Sequence, residues 1–382
     1  MDSRELTCPT AVSECATVLV AIELSARSWL VGVRGAAGAR PSIHRLAGGD
    51  VARLLELIER WRAKAGQGGG AVAVVSCYEA GRDGFWLHRQ LVAHGVDNQV
   101  VDAASLRVDR RARRAKTDRL DVHGLLDALA AWRRGERDAC AMVRVPTPAE
   151  EDAKRPHRER QRLIGERVAH VNRLKALAAL HGVGDFAPLR ADRQARLAEL
   201  RGRDGTALPA RLAAEMGREL ARLELVLKQI ASLEAERDAL AEANGDPDAA
   251  TIRSLAKLKA VGPQSACVLS REVFYRRFRN RRELAAYVGL DPSPYNTGAS
   301  VREQGIAKAG NPRARTAMIE LAWLWLRYQP DSALSGWFRQ RVGTATGRLK
   351  RIAIVALARK LLVALWRYVE TGLVPTGAQI AA

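Results

Sequence analysis

Cysteine is scarce and unpatterned in this sequence. Cys8, Cys15, Cys77, Cys140 and Cys267 are odd in number, scattered, and contain no Cys-x-x-Cys pair. That argues against a disulfide framework or a cysteine zinc site and fits a reducing compartment. The seven histidines also lack ligand spacing. No apolar run approaches the roughly 20 residues that a bilayer span requires, so no membrane partner is expected. Residues 1–14 lack the charged-then-apolar layout of a secretory signal, and the expectation is a cytoplasmic location. Negative charge is the remaining shortage: 42 Asp and Glu stand against 62 Lys and Arg, a formal net charge of +20. Such an excess speaks about partners rather than fold, and the partner it suits is a polyanion.

What is present reads as an α/β domain followed by helices. The 382 residues, 47% of them apolar, allow two or three domains with real cores. An apolar strand spans 17–24, with returning strands at 29–33 and 42–46. Asp50 reads as the N-cap of a helix carrying Leu54, Leu55 and Ile58 on one face, and the glycines at 66–70 break it. A strand at 71–76, a helix at 84–94, a strand at 99–101 and a helix at 118–132 complete the domain, placed at 15–142. Three strands, helix, strand, helix, strand, helix is the order of the RNase H-like fold. Residues 143–156, rich in proline and charge, read as a linker. Within 143–247, Met216, Leu220, Leu223, Leu227 and Ile230 step by 4, 3, 4, 3, a coiled-coil seam that would close either within the chain or between chains. A mainly helical domain is expected at 248–370, with Trp323 and Trp325 as core residues, and a frayed tail at 371–382.

Four acids stand where this layout would converge them. Glu23 ends the first strand, Glu79 follows the fourth, and Asp118 and Asp121 are three apart on one helix face. Converging carboxylates repel unless a hard cation lies between them, and Mg²⁺ (or Mn²⁺) takes such oxygen ligands. A pair of ions about 3.5–4 Å apart would stabilise both the entering and leaving oxygens of an in-line phosphodiester displacement. Taken singly, Glu79, Asp118 and Asp121 each read more often as a cap or a surface charge. Residues 107–119 hold seven basic residues and two acids. Arg110, Arg111, Arg113, Arg114 and Lys116 would thus contact phosphates beside the acids, with a steep salt dependence; a merely basic loop is the alternative.

Three later motifs suit nucleic acid. Leu258-Lys259-Ala260-Val261-Gly262-Pro263 resembles the turn of a helix-hairpin-helix, whose backbone N–H groups face a phosphate, although Ala260 stands where the first glycine is usual; a plain helix–turn–helix corner is the alternative. Between 271 and 282, arginines including Arg276 and Arg277 interleave with Phe274, Tyr275 and Phe278, as backbone contacts or as solvated charges around core aromatics. Residues 289–300 form a turn-rich loop with several hydroxyls, and Lys308, Gly310, Asn311, Pro312, Arg313 and Arg315 lead into a helix. This is a phosphate-binding loop with a candidate hydroxyl nucleophile, or an ordinary turn before a helix.

Cys77-Tyr78-Glu79-Ala80-Gly81-Arg82-Asp83-Gly84, Lys116-Thr117-Asp118-Arg119-Leu120-Asp121 and residues 289–315 together resemble the DEDD-type insertion-sequence transposases related to the Piv DNA invertase, a family of bridge-RNA-guided recombinases. The resemblance covers the chain from about Val18 to Trp366. It implies a RuvC-like N-terminal domain whose four acids bind Mg²⁺, and a C-terminal transposase domain whose hydroxyl forms a covalent 5′-phospho-enzyme link. It also implies a composite site in a homodimer or homotetramer, with a guide RNA pairing to element ends and target DNA. The sequence departs twice from the family pattern: Glu23 stands at a usual Asp, and Thr297-Gly298 at a usual Ser-Gly, with Ser300 as the alternative nucleophile. The expectation is a Mg²⁺-dependent transposase or recombinase using Thr297, in a bacterial cytoplasm at the nucleoid. The rivals are a RuvC-like nuclease that uses water and a disabled nucleic-acid-binding copy. An actin-like ATPase fails because the segment after Glu23 lacks phosphate-loop glycines.

Overall fold

The computed structural model describes residues 16–35, 40–68, 70–106, 117–136, 138–242, 248–297 and 300–381. The chain divides into two compact units, Met1–Pro146 and Thr147–Ala382.

The first unit follows the expected element order: β1 (Ala16–Glu23), β2 (Ser28–Arg34), β3 (Ser42–Ala47), α1 (Val51–Ala65), β4 (Val72–Glu79), α2 (Trp86–Ala93), β5 (Asp97–Val101) and α3 (Asp118–Arg133). The sheet order is β3-β2-β1-β4-β5. β2 runs antiparallel to β1 and β3, and β4 runs parallel to both β1 and β5. The period-2 alternation of strands splits the core into two layers. Val18, Val20, Ile22 and Tyr78 pack with Leu54, Ile58, Leu87 and Leu91 on one face. Ala21, Val75 and Cys77 pack with Val122, Leu125, Leu126 and Leu129 of α3 on the other. Burial on both faces explains the near-continuous apolar runs of β1 and β4.

Helix ends follow local chemistry. Asp50 Oδ1 accepts from the Arg53 amide at 3.1 Å, and Thr117 Oγ1 accepts from Leu120 N at 3.4 Å, each satisfying an orphan N–H of the first turn. β4 continues to Glu79 rather than stopping at Ser76. Ser76 is the register partner of Asn98, whose Nδ2 donates to Ser76 Oγ at 2.8 Å, so the polar residue is satisfied inside the sheet.

The second unit contains α4 (Pro148–Asp152), α5 (Arg155–Ala179), α6 (Arg193–Ala198), α7 (Ala210–Glu242), α8 (Ala249–Ala256), α9 (Pro263–Leu269), α10 (Arg281–Val288), β6 (Pro292–Thr297), β7 (Ser300–Ile306), α11 (Pro312–Tyr328), α12 (Ala333–Val342) and α13 (Gly347–Thr371). A π-helical turn, Ser270–Phe274, extends α9. The coiled-coil seam closes within the chain: Met216, Leu220 and Leu223 pack with Leu174 and Leu177 of α5, and Val226 and Ile230 with Leu163. A His170–Glu219 hydrogen bond (2.8 Å) and an Arg173–Glu215 ion pair (2.7 Å) flank it. Helices α8 to α13 bury one core containing Leu255, Leu269, Met318, Trp325, Leu357 and Leu361.

The segment 143–156, read as a linker, holds the boundary between the two units at Pro146/Thr147 and is ordered on each side of it. Val143 N donates to Val100 O at 2.7 Å, and Thr147 with Glu150 forms a reciprocal capping box on α4. Three expectations are corrected. The tail beyond residue 371 is docked: Lys259 N donates to Gln379 O at 3.1 Å and Ala333 N to Thr376 O at 3.0 Å, so backbone pairing replaces the fraying expected of a terminus. The hydroxyl-rich segment, read as a turn-rich loop, forms the antiparallel hairpin β6–β7. The two tryptophans of α11 divide. Trp325 is fully buried, with Nε1 donating to Ser332 Oγ at 2.9 Å. Trp323, two residues away and therefore on another helix face, is 41% exposed, and the Lys350 ammonium lies 5.7 Å from its ring centre.

Candidate active site

The sheet register sets the first two acids side by side. Ala21 pairs with Cys77 and Ile22 with Tyr78 across the parallel β1–β4 ladder, so Glu23 and Glu79 occupy the next position on adjacent strands. Alternation assigns both to the face of Ala21 and Cys77, the face that α3 covers. On α3, Asp118 and Asp121 precede Val122 and Leu125 by one turn, at i−4, and so belong to the same sheet-facing stripe. Val122 packs over Gly32, and the Cys77 thiol reaches Leu125 O at 3.8 Å, which holds the start of α3 on this face. Glu79 and Asp118 are exposed, while Glu23 and Asp121 are half-buried. Among the described residues, no group of three or more His, Cys, Asp or Glu side chains is closed up enough to hold a metal ion as it stands. An all-carboxylate donor set is nevertheless the kind that Mg²⁺ takes.

The hydroxyl candidates occupy the hairpin. Its register pairs Thr297 with Ser300 across the turn, so both stand at the end of the ribbon. The base is described in detail. Ala307 N donates to Asp291 O at 2.9 Å and Asn311 N to Tyr287 O at 2.8 Å. Gly289 and Gly310 allow the two flanking segments to touch: a Cβ at Gly289 would strike Ala309 O, and one at Gly310 would strike Tyr287 O. Both glycines also have φ near +70° to +84°, where other residues are strained.

Beside this base lies a buried polar cluster that sequence reading did not find. Glu272, on the π-helical turn, is 1% exposed. Its carboxylate accepts from His157 Nε2 at 2.8 Å, Arg158 Nε at 2.7 Å and Nη2 at 2.9 Å, and Asn311 Nδ2 at 2.8 Å. Its backbone carbonyl accepts from the Tyr287 hydroxyl at 3.0 Å, and that hydroxyl lies 3.3 Å from the Tyr275 hydroxyl. The Lys154 ammonium sits 3.6 Å from the Tyr275 ring centre. Burial opposes the Glu272 charge, but the hydrogen bonds from His157 and Arg158, with the Arg158 charge, hold its carboxyl well below the usual range. Burial, then the neighbouring Tyr275, pushes the Tyr287 hydroxyl above its ordinary value. The one signal for Glu272 in the sequence is an acid followed by Val273 and Phe274 in a helix whose preceding turn, Ala266 to Leu269, is apolar.

Of the basic residues expected at nucleic acid, Arg110, Arg111, Arg113, Arg114 and Lys116 lie outside the described residues. Arg276 stacks within the fold, its guanidinium 5.1 Å from the Phe278 ring and 5.0 Å from the Tyr287 ring, with Glu283 at 3.5 Å. Arg315 clamps the hairpin base through Nη1 to Lys308 O at 2.8 Å and Val288 O at 3.3 Å. Arg313 is exposed, with Nε bonded to Gln161 Oε1 at 3.0 Å, and Arg277 and Lys308 are exposed. The helix-hairpin-helix segment is formed by α8 and α9. Ala260 adopts φ +81°, the conformation for which a glycine is usual, and Gly262 caps α9 ahead of Pro263.

No helix among the described residues is long and apolar enough to cross a membrane. A family model described as "Transposase IS116/IS110/IS902 family" matches residues 252–335, from α8 into α12 and so across the hairpin and its anchor. "Putative transposase y4rJ" of Sinorhizobium fredii is 48% identical over 384 residues, covering 97% of this chain and 96% of that protein. "Probable family 20 transposase" of Pseudomonas aeruginosa is 31% identical over 66% of this chain and 72% of its own length. "Transposase for insertion sequence element IS1111A" of Coxiella burnetii is 25% identical over 78% of this chain and 77% of its own length. With a full-length relative at this identity and a family match centred on the hairpin segment, the chain belongs to the IS116/IS110/IS902 family of transposases.

Proposed function

We propose that this transposase cuts and rejoins DNA through a covalent phospho-enzyme, with an RNase H-like (RuvC-like) first unit supplying the acids and the hairpin of the second unit supplying the hydroxyl. The observation that carries the reading is the β1–β4 register, which sets Glu23 beside Glu79 on the face where α3 begins with Asp118 and Asp121. The sheet order β3-β2-β1-β4-β5, with β2 running antiparallel to the other four strands, supports the RNase H-like assignment. Glu23, Glu79, Asp118 and Asp121 would hold Mg²⁺ (or Mn²⁺), which when bound supplies positive charge against the phosphoryl oxygens.

The remaining steps belong to the chain. The Thr297 hydroxyl oxygen, with Ser300 as the alternative, attacks phosphorus in line and releases its proton to solvent, which returns one to the leaving oxygen. The P–O3′ bond breaks, the departing O3′ takes up a proton, and the 5′-phosphoryl end stays on the enzyme. Attack by a new 3′ hydroxyl reverses the step and rejoins the strand. Arg277, Lys308 and Arg313, together with the basic residues at 110–116, would hold the backbone. Specificity for element ends and target would come from a guide RNA bound by this basic protein in a dimer or tetramer.

The experiment is an end-bearing DNA duplex incubated with the full-length protein and Mg²⁺, scored for protein–DNA adduct resistant to denaturant. Thr297→Ala is expected to abolish the adduct, with Glu79→Gln and Asp118→Asn doing the same without loss of DNA binding. Cleavage that persists without any adduct would sink the hydroxyl mechanism in favour of water. RNA copurifying with the protein is sequenced in parallel; one discrete species supports guidance, and random cellular RNA counts against it.

A further inference from the structure

We infer that Glu272 is a positioning residue for the hydroxyl hairpin, acting through Asn311. This rests on the reading of Thr297 or Ser300 as the nucleophile. Two attachments lead from Glu272 to the two segments that flank the hairpin. On the incoming side, the Tyr287 hydroxyl donates to the Glu272 carbonyl at 3.0 Å, two residues before Gly289. On the outgoing side, Asn311 Nδ2 donates to the Glu272 carboxylate at 2.8 Å. The two segments are also bonded to each other, Asn311 N to Tyr287 O at 2.8 Å and Ala307 N to Asp291 O at 2.9 Å. The two flanks of the hairpin therefore meet at one buried residue, Glu272, which holds the incoming flank through its backbone carbonyl and the outgoing flank through its carboxylate.

Asn311 has two duties that separate by atom. Its Oδ1 caps α11, accepting from Arg313 N at 3.0 Å and Ala314 N at 3.2 Å. Its Nδ2 faces Glu272. Glu272 is in turn fixed from α5 by His157 and by both nitrogens of the Arg158 fork, a charge-assisted arrangement that sets direction as well as energy. A helix cap alone would not need a buried carboxylate behind it. The spare donor of the cap residue is what ties the cap to the hairpin's orientation, and a hydroxyl that must meet phosphorus in line depends on that orientation.

The separation of duties supplies the test. Asn311→Asp keeps a capping oxygen but replaces the donor with a second acceptor against Glu272. Glu272→Gln keeps size but leaves one acceptor oxygen for the donors of His157, Arg158 and Asn311, so its amide must face some of them and the fixed arrangement is lost. In the double variant the bond returns with reversed polarity, the Gln amide donating to the Asp carboxylate. Adduct formation on the full-length protein is expected to slow on the order of 10- to 100-fold in each single variant, the scale of an ångström-sized misplacement. DNA affinity of the Glu272→Gln protein should be unchanged, and the double variant should recover most of the rate. Hydrogen exchange of peptides across 288–311 is followed in the same proteins, expected to quicken in both single variants and to slow again in the double. A double variant no faster than its slower parent, or exchange at 288–311 equal to wild type in both single variants, overturns the proposal. If Thr297→Ala and Ser300→Ala both keep the adduct, the nucleophile reading fails, and the exchange pattern still decides whether Glu272 anchors the hairpin.

Discussion

Gly32 on β2 lies directly beneath Val122 on α3, so closely that a Cβ there would collide with a Val122 methyl and press on Leu126 Cδ1 at 3.0 Å. The contact ties the height of α3 over the sheet to the absence of one side chain. Asp118 sits one turn before this contact and Asp121 one residue before it, so the sheet also governs where the two helical acids stand relative to Glu23 and Glu79.

Gly32→Val is therefore expected to lift α3, costing roughly 1–3 kcal/mol as an overpacked core. Strand transfer should fall further than stability alone explains. Chemical denaturation with a parallel adduct assay checks it. Full activity in a folded Gly32→Val protein would show that the position of α3 does not matter to the site.

Ala260 holds φ +81° at the turn between α8 and α9. A left-handed backbone costs a non-glycine residue roughly 1–2 kcal/mol. Ala260→Gly should recover part of that, offset by the larger unfolded-state entropy of glycine, for a net gain of up to about 1 kcal/mol. A thermal melt that moves down instead would mean that the Ala260 methyl, which packs on the second unit's core, outweighs the strain.

Glu272 titrates below its ordinary range in the fold because His157 and Arg158 hydrogen-bond its charged form despite burial. Its stabilising effect is complete above the unfolded carboxylate pKa of about 4.3 and is lost as pH falls from there toward the folded value. Denaturant midpoints measured from neutral to acid pH should decline more steeply for wild type than for Glu272→Gln, which has no such proton to take up. Parallel curves for the two proteins would place the acid sensitivity elsewhere.

Arg276 and Arg277 are neighbours with different duties. Arg276→Ala removes a guanidinium from two aromatic rings and from Glu283 and should lower stability. Arg277 is exposed, so Arg277→Ala should leave the melt unchanged, weaken nucleic-acid binding, and reduce the salt slope by about 1. Equal salt slopes for Arg277→Ala and wild type would remove Arg277 from the phosphate contacts.

Much of the first unit was legible in the sequence. Alternation and cap chemistry are near-neighbour effects, so the element order from β1 to α3 and the N-cap Asp50 follow from residues a few positions apart. The positions of Glu23, Glu79, Asp118 and Asp121 at element ends were legible for the same reason. Element ends carried less signal: Ser76 reads as a strand end until Asn98 bonds to it from another strand.

What only the tertiary structure decided are the partners. The seam at Met216 to Ile230 could serve a hairpin or a dimer by period alone, and packing against α5 buries it within the chain. Arg276 and Arg315 read as phosphate contacts by charge, and the fold adds partners that charge does not report, aromatic rings for one and loop carbonyls for the other. Glu272 meets His157 across 115 residues of sequence, a distance over which no local periodicity reports. Local pattern determines which face of an element is apolar, because that depends on residues a turn or a pleat away. Which buried charge finds which donor depends on how distant elements dock, and here that docking chose the carboxylate beneath the hairpin.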